Sequence, residues 1–553
     1  MFFREKKAKN HSYLQIVENN KVNGQSRQRV IANIGRLDEL QESGKIDDLI
    51  ASGARFSERI MVLNAHREGT LVETSKKKIG GPLVFDRIWR EIGCYDIIRE
   101  LTRDRKIQFN IERAIFSTVL HRLFDPGSDR ACEKWMNSYA IKDGDDLRLQ
   151  HFYRAMAWLG EEQEGRPVKD RIEEELFHKN QDLFSKIDMV FFDTTSIYFE
   201  GEGGETIGQY GHSKDHRPDL KQMVVGAVLD QSGHPVCCEL WPGNMADVKS
   251  LQPVSDRLKK RFGIKESCIV ADRGMISGET LDWLETGKNK RPYILGARMR
   301  RQKEVSEEVL TRAGRYEVIY GEREKHGDPS PLKVKEVWVG DNRYIVCHNE
   351  DQAEKDRKDR ELILKSLEES LKKGSKTLVG NKGFRKYLKS DKHFEIDMEK
   401  VKEEERYDGK WVLRTNTTLS AREVALKYKQ LWMVEDIFRS LKSLLDTRPI
   451  YHKCDETIRG HVFCSFLAMI LMKELKDRMD AKGQHNIEWY DVIHDLDNLE
   501  ELELEQAGKH FSLRIGLTGC AGKVFQAVGA ALPPTVRRME KVVPTAFSEI
   551  VIV

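Results

Sequence analysis

Cysteine is sparse. Nine residues scattered over 553 give an odd count and no paired spacing, which excludes a disulfide framework and fits a reducing compartment. Long apolar runs are missing too. The most apolar stretch, HVFCSFLAMILM at 461–472, is well short of the ~20 residues a spanning helix needs, so no membrane partner is expected. The opening MFFREKKAKN has neither an apolar core nor a small-residue cleavage site, so a secretory signal is not expected. There is no Gly-x4-Gly-Lys-Ser/Thr loop and no His-Glu-x2-His. GEGGE at 201–205 lacks the lysine and the helix start that a phosphate loop needs. His452, Cys454, His461 and Cys464 have no standard finger spacing, and buried free cysteine is the simpler reading of that cluster. Net charge is only +3, so bulk electrostatics do not select nucleic acid as a partner.

What is present is organised. A chain of this length, 39% apolar and 33% charged, builds two to four domains. Arg4, Lys6, Lys7, Lys9, Lys21, Arg27, Arg29 and Arg36 face only Glu5 and Glu18, a basic arm that suits phosphate contact or a solvated face alike. Within it, residues 13–35 alternate like a β-hairpin. From about residue 81 the pattern is helical. FNIERAIFSTVLHRLF puts Ile111, Ile115, Val119, Leu120 and Leu123 on one face, DPGS breaks it, and Ser128 caps DRACEKWMNS. Such a pair could read DNA or belong to an ordinary bundle. DMVFFDTTSIYF, MVVGAVLD and PVCCELWPG then read as strands. A helix, the strand SCIVADRGM, a second helix and the strand PYILGARM follow. That order predicts an α/β fold with an RNase H-like mixed sheet as its core and helices packed on the sheet's faces. The expected division begins with a basic hairpin arm (1–50) and a helical, candidate DNA-binding region (80–185). The core follows in two segments, 186–298 and 408–475, separated by a charge-dense inserted subdomain (299–407). A helical C-terminal region (476–553) closes the chain.

Asp193 stands inside the first core strand, where an unpaired carboxylate costs several kcal/mol or loses its charge. Asp272 ends the fourth strand in IVADRG, where a glycine lets the chain turn away. If these strands are neighbours the two aspartates converge, and like charges at close range need a cation. Carboxylates with waters suit Mg²⁺ or Mn²⁺. A third ligand is expected from the long helix TLSAREVALKYKQLWMVEDIFRSLKSLLDTRP, opened by a Ser420/Glu423 capping box and ending before Pro449. Its Tyr428, Glu435 and Lys442 are seven apart and drift by only ~20° per step, forming one stripe. Leu431, Trp432, Val434, Ile437 and Phe438 surround Glu435 with apolar neighbours. The alternative is a Glu435–Arg439 pair on a solvated face. Asp436 points about 100° off the stripe, so Glu435 is preferred. The loop GHSKDHRPD (211–219) crowds Ser213, Lys214, His216 and Arg217 just after the first strand, for phosphate contact or as an ordinary hairpin loop.

On these residues the chain resembles bacterial insertion-sequence DDE transposases. Among them it is similar to the insertion-sequence-four-like group, whose third catalytic residue lies in a Tyr-x2-Arg-x3-Glu-x6-Lys signature. Tyr428, Glu435 and Lys442 fall on the Tyr, Glu and Lys positions; position 431 is leucine, so that arginine's phosphate contact has no counterpart there. YKQLWMVEDIFRSLKSLLDTRPIYH and GHSKDHRPDLKQ look like one branch of the group in which this departure is usual. The resemblance implies that Asp193, Asp272 and Glu435 form the DDE triad on two Mg²⁺ (or Mn²⁺) ions. Nicking of the element's ends and their joining to target DNA would share that site. It further implies DNA-backbone contacts by Tyr428 and Lys442, which we extend to Arg439, Lys214 and Arg217. The implied partners are terminal inverted repeats, target DNA and a second copy on paired ends, in the cytoplasm at the nucleoid. Trp411 or Trp432 could stack on a flipped base, although Trp432 reads more simply as core. An RNase H-like nuclease without strand transfer is the allied alternative. A catalytically inactive DNA-binding derivative is the other, and the presence of all three carboxylates argues against it.

Overall fold

The computed structural model describes residues 1–8, 11–22, 25–54, 72–180, 187–264, 267–286, 290–323, 325, 328–373, 386–389, 395–447, 450–506 and 509–539. Lys9, residues 23–24 in the middle of the expected hairpin, Pro449 and residues 540–553 lie outside them. The chain forms two compact units. One is Met1–Gly81 with Ser138–Ala140 and Ile487–Val553; the other is Pro82–Asn137 with Ile141–Asn486.

The second unit is built on a nine-stranded sheet: β1 (Met189–Tyr198), β2 (Gln222–Asp230), β3 (Pro235–Pro242), β4 (Cys268–Ala271), β5 (Tyr293–Gly296), β6 (Glu317–Tyr320), β7 (Leu332–Val339), β8 (Asn342–His348) and β9 (Lys410–Thr415). The order is β6-β7-β8-β9-β5-β4-β1-β2-β3. β4 runs parallel to β1 and β5, and the other pairs are antiparallel. The stretch β3-β2-β1-β4-β5 is the RNase H-like arrangement that the strand order predicts. Strands β6 to β8 come from the charge-dense segment and continue the same sheet through β9. β1 and β2 are buried almost end to end, as their unbroken apolar runs require when both faces are covered.

The helices of this unit include α1 (Ile111–Phe124), α2 (Leu149–Gly160), α3 (Val168–Asn180), α4 (Leu251–Phe262), α5 (Ala421–Lys429), α6 (Trp432–Arg439) and α7 (Asp455–Ala481). α1 is buried almost along its whole length, on its charged side as well. Arg113 pairs with Glu112 at 2.5 Å and Asp86 at 2.6 Å, and Glu112 accepts from Trp89 Nε1 at 2.7 Å. It presents no free face; of the helix pair, only Asp129–Met136 keeps an exposed side. β3 is an edge strand, and α3 closes it with side chains. Cys238 N–H donates to Glu173 Oε1 at 2.9 Å, and Lys169 Nζ donates to Cys238 O at 2.7 Å. Backbone groups that would template another strand are thereby satisfied.

The β2–β3 turn is tied to α7 by His234, whose Nε2 is 2.7 Å from Asp477 and whose Nδ1 is 3.4 Å from Asp230. Hydrogen bonds to Asp230 and Asp477 push the imidazole up to about 9 from 6.5. A raised folded-state value means the stabilisation is complete below pH 6.5 and is lost as pH rises through about 9. His234→Gln is expected to lower the melting temperature at pH 6 and to converge with wild type above pH 9. A gap that stays constant across that range would refute the assignment.

The first unit carries a three-stranded antiparallel sheet, Phe2–Ala8, His11–Val22 and Gln25–Arg36; the last two strands correspond to the alternation at 13–35. It also holds a four-stranded sheet of Val72–Lys78, Glu500–Gln506, Lys509–Ile515 and Val536–Met539. Alongside its helices, the C-terminal region thus contributes strands that its sequence did not announce. Their register sets Glu500 against Lys78 and Glu501 against Lys77, opposite charges that favour this pairing.

Candidate active site

β1 and β4 pair in parallel, with Met189, Val190, Phe191 and Phe192 opposite Cys268, Ile269, Val270 and Ala271. The next residue in each is Asp193 and Asp272, so the two carboxylates stand at one level on strands spaced about 4.8 Å apart. Asp193 Oδ1 accepts from the Thr194 backbone N–H at 2.7 Å. Burial pushes Asp193 up to about 6. The Lys214 ammonium and the Thr194 N–H oppose that rise, while the charges of Asp272 and Asp247 add to it. Asp272 Oδ1 accepts from Tyr428 Oη at 2.9 Å, and burial together with the Asp272 charge holds that phenol well above its ordinary range.

Asp247 is a carboxylate that sequence reasoning missed. It follows β3 in a single 3₁₀ turn, Asp247–Lys249, ahead of α4. An aspartate just before a helix reads as a routine cap, so the signal was ambiguous. Here Asp247 Oδ1 accepts from Thr194 Oγ1 at 2.8 Å, and Oδ2 lies 3.3 Å from Lys214 Nζ. Lys214 Nζ also donates to Thr194 O at 2.5 Å and Thr194 Oγ1 at 3.0 Å, and stands 3.9 Å from Asp193 Oδ1. Its backbone N–H donates to Ser196 Oγ at 2.8 Å, so the 211–219 loop folds back along β1. The other expected DNA contacts carry acidic partners. Lys442 pairs with Asp215 at 2.8 Å, Arg217 with Asp219 at 2.9 Å and Arg439 with Asp436 at 3.2 Å.

The long helix differs from its expected form. The capping box is present: Glu423 N–H donates to Ser420 Oγ at 3.2 Å, and Ser420 N–H to Glu423 Oε2 at 2.8 Å. α5 then ends at Lys429. Leu431, Met433 and Val434 each bond the carbonyl three residues back, and a wider π turn, Ser440–Leu444, follows α6. Tightening and then widening the winding breaks the seven-residue repeat, so Tyr428, Glu435 and Lys442 do not share one straight stripe. The hitch leaves Leu431 buried and turns Trp432 outward to 59% exposure, which corrects the core reading of that tryptophan. Glu435 is exposed instead of sitting among apolar neighbours, while Val434 and Phe438 form the buried side of α6 against β1 and β2. Arg439 is turned to Asp436, so the alternative Glu435–Arg439 pair does not form. Trp411 lies half-buried in β9.

The structure therefore brings Asp193, Asp272, Asp247 and Lys214 together. Among the described residues, no three His, Cys, Asp or Glu stand close enough to ligate one ion, so Glu435 is not gathered with the aspartates. The paired carboxylates of Asp193 and Asp272 are oxygen donors of the kind a hard divalent cation takes, and burial of Asp193 favours a cation beside it.

Fold and site together define an RNase H-like protein with paired aspartates on two central parallel strands, one within β1 and one just past the end of β4. Residues 185–471, just over half the chain, match the family described as the transposase DDE domain, and the chain belongs to that family of DNA-cleaving and strand-transferring enzymes. Residues 3–68 match the N-terminal domain of the IS1634 family transposases, in keeping with an insertion-sequence origin. A solved structure described as a cryo-EM structure of the piggyBac transposase synaptic complex with hairpin DNA is similar at 10% identity and a TM-score of 0.36, over 76% of this chain and 78% of that one. No curated protein matches the chain. No helix among the described residues is long and apolar enough to cross a membrane.

Proposed function

We propose that the chain cleaves the ends of an insertion element and joins them to target DNA, with Asp193, Asp272 and Glu435 as the catalytic carboxylates. The observation that carries this reading is the β1–β4 register, which sets Asp193 beside Asp272. For Glu435, support comes from α6 packing on β1 and β2, from its exposure, and from Arg439 being engaged elsewhere. These residues would hold two Mg²⁺ or Mn²⁺ ions, which when bound activate the attacking oxygen and stabilise the leaving one. In the first step water attacks the phosphorus at the element's end and the P–O3′ bond breaks, leaving a 3′-hydroxyl. In the second, that hydroxyl attacks a target phosphodiester and displaces its 3′-oxygen. Tyr428 orients Asp272 through its hydroxyl, and Lys214, held by Asp247 and Thr194, keeps a positive charge beside Asp193. Lys442, Arg439 and Arg217 would meet DNA by exchanging their acidic partners for phosphate. Trp432, exposed three residues before Glu435, offers a stacking face for a base. Two copies on paired ends complete the assembly, within the insertion-sequence-four-like group that the Tyr, Glu and Lys positions suggest.

The test is cleavage of a duplex carrying the sequences that flank the gene. Nicks at the element ends that require Mg²⁺ or Mn²⁺, followed by joined products with a target plasmid, are expected. Nicks without joined products would favour the RNase H-like nuclease; tight binding without nicks would favour the inactive DNA-binding derivative.

A further inference from the structure

We infer that Arg273 is a phosphate-gripping residue of this site, its guanidinium holding a phosphodiester oxygen of the DNA strand beside Asp272. The inference rests on the function proposed above and adds a residue to it. An incoming phosphodiester meets a cluster of carboxylates, Asp193, Asp272 and Asp247, so it needs positive charge that is not already spent. The four basic side chains assigned to DNA contact each carry an acidic partner that phosphate would first have to displace: Asp247 for Lys214, Asp215 for Lys442, Asp219 for Arg217 and Asp436 for Arg439. Arg273, the residue directly after Asp272, is exposed, and its side chain forms no ion pair or hydrogen bond among the described residues.

An exposed arginine is ordinarily a solvated surface group. Its backbone sets this one apart, because the turn that carries it is fixed from several directions. Met275 N–H donates to Asp272 O at 3.0 Å. Arg298 spends its guanidinium on the same turn, Nε donating to Arg273 O and Nη2 to Gly274 O, both at 2.9 Å. Gly296 on β5 lies flush beneath it: a Cβ there would come within 2.9 Å of Arg273 N and 2.5 Å of Tyr428 Oη. Arg273, Asp272 and the Tyr428 hydroxyl are thus held as one unit. A guanidinium with a fixed base and free donors is suited to grip two phosphate oxygens at once, which a lysine does not reproduce.

The experiment uses the full chain, the flanking-sequence duplex and the variants Arg273→Gln and Arg273→Lys. Nicking is followed at saturating DNA, and binding at several salt concentrations. For Arg273→Gln we expect the single-turnover rate to fall at least ~100-fold and the slope of log affinity against log salt to lose about one unit. Arg273→Lys should restore the slope but only part of the rate, and both variants should melt with wild type because the side chain is exposed. Arg273→Gln nicking within about twofold of wild type, with an unchanged slope, would overturn the inference and leave the proposed function standing. Wild-type protein that binds the duplex without nicking it would sink the proposed function, while the salt slope would still report whether Arg273 grips phosphate.

Discussion

Asp193→Asn and Asp272→Asn are each expected to lower strand cleavage more than ~100-fold, beyond the 10–100-fold typical of an outer partner to a metal ligand. Each substitution keeps the shape of the side chain and removes one negative oxygen. Thr194 N–H can still donate to residue 193, and Tyr428 Oη to residue 272. The lost activity would therefore report on charge and not on collapse of the site. Stability gives an independent readout. Burial disfavours the Asp193 carboxylate, so Asp193→Asn should melt at the wild-type temperature or above it, the signature of a site strained for function. Asp247→Asn should cost roughly 10–100-fold, because Asp247 acts through Thr194 and Lys214. Glu435→Gln should match the two aspartate variants. If it cleaves normally, the third carboxylate lies elsewhere and Asp436 is the next to replace. If Asp193→Asn retains activity, the paired-aspartate reading fails altogether.

The paired aspartates were legible because they depend on little more than counting strands. Three strands, a helix and a strand place the first and fourth side by side, and the β4 register does the rest. The glutamate helix was legible as helix but not in its winding. Nothing between Gln430 and Val434 is a glycine or proline, so the switch to shorter hydrogen bonds leaves no trace in periodicity. That hidden switch decides where Trp432 and Glu435 point. Asp247 was invisible for a different reason, since a helix-start aspartate has a cheaper local explanation than a tertiary one. The strands at 317–348 fall in the segment read as an inserted subdomain, and their continuation of the central sheet needed the pairing of β8 with β9. Such pairing is long-range information that no single window of sequence carries.

Gly460→Ala is expected to destabilise the protein by about 3 kcal/mol or more, at or beyond the upper end for overpacking. α2 and α7 cross in backbone contact, and the crossing is reciprocal. A Cβ at Gly460 would lie 1.9 Å from Met156 O, and one at Gly160 would lie 1.9 Å from Glu456 O. Carbonyl oxygens cannot rotate aside as a side chain can, so the helices themselves must separate. The consequence reaches the candidate site through the first residue of α7. Asp455 accepts from the backbone N–H groups of Thr206, at 3.1 Å, and Ile207, at 3.4 Å, and from the Thr206 hydroxyl. These contacts pin the loop that leads from β1 to Lys214 and Asp215. Gly460→Ala should therefore lower the melting temperature and also weaken cleavage at temperatures where the variant is still folded. Gly278→Ala is the matching control, because a Cβ there meets nothing within 4 Å and alanine is the better helix former. A Gly460→Ala protein that melts with the control would mean that the two helices can part without cost. The loop's position would then have to be set by contacts within the sheet alone.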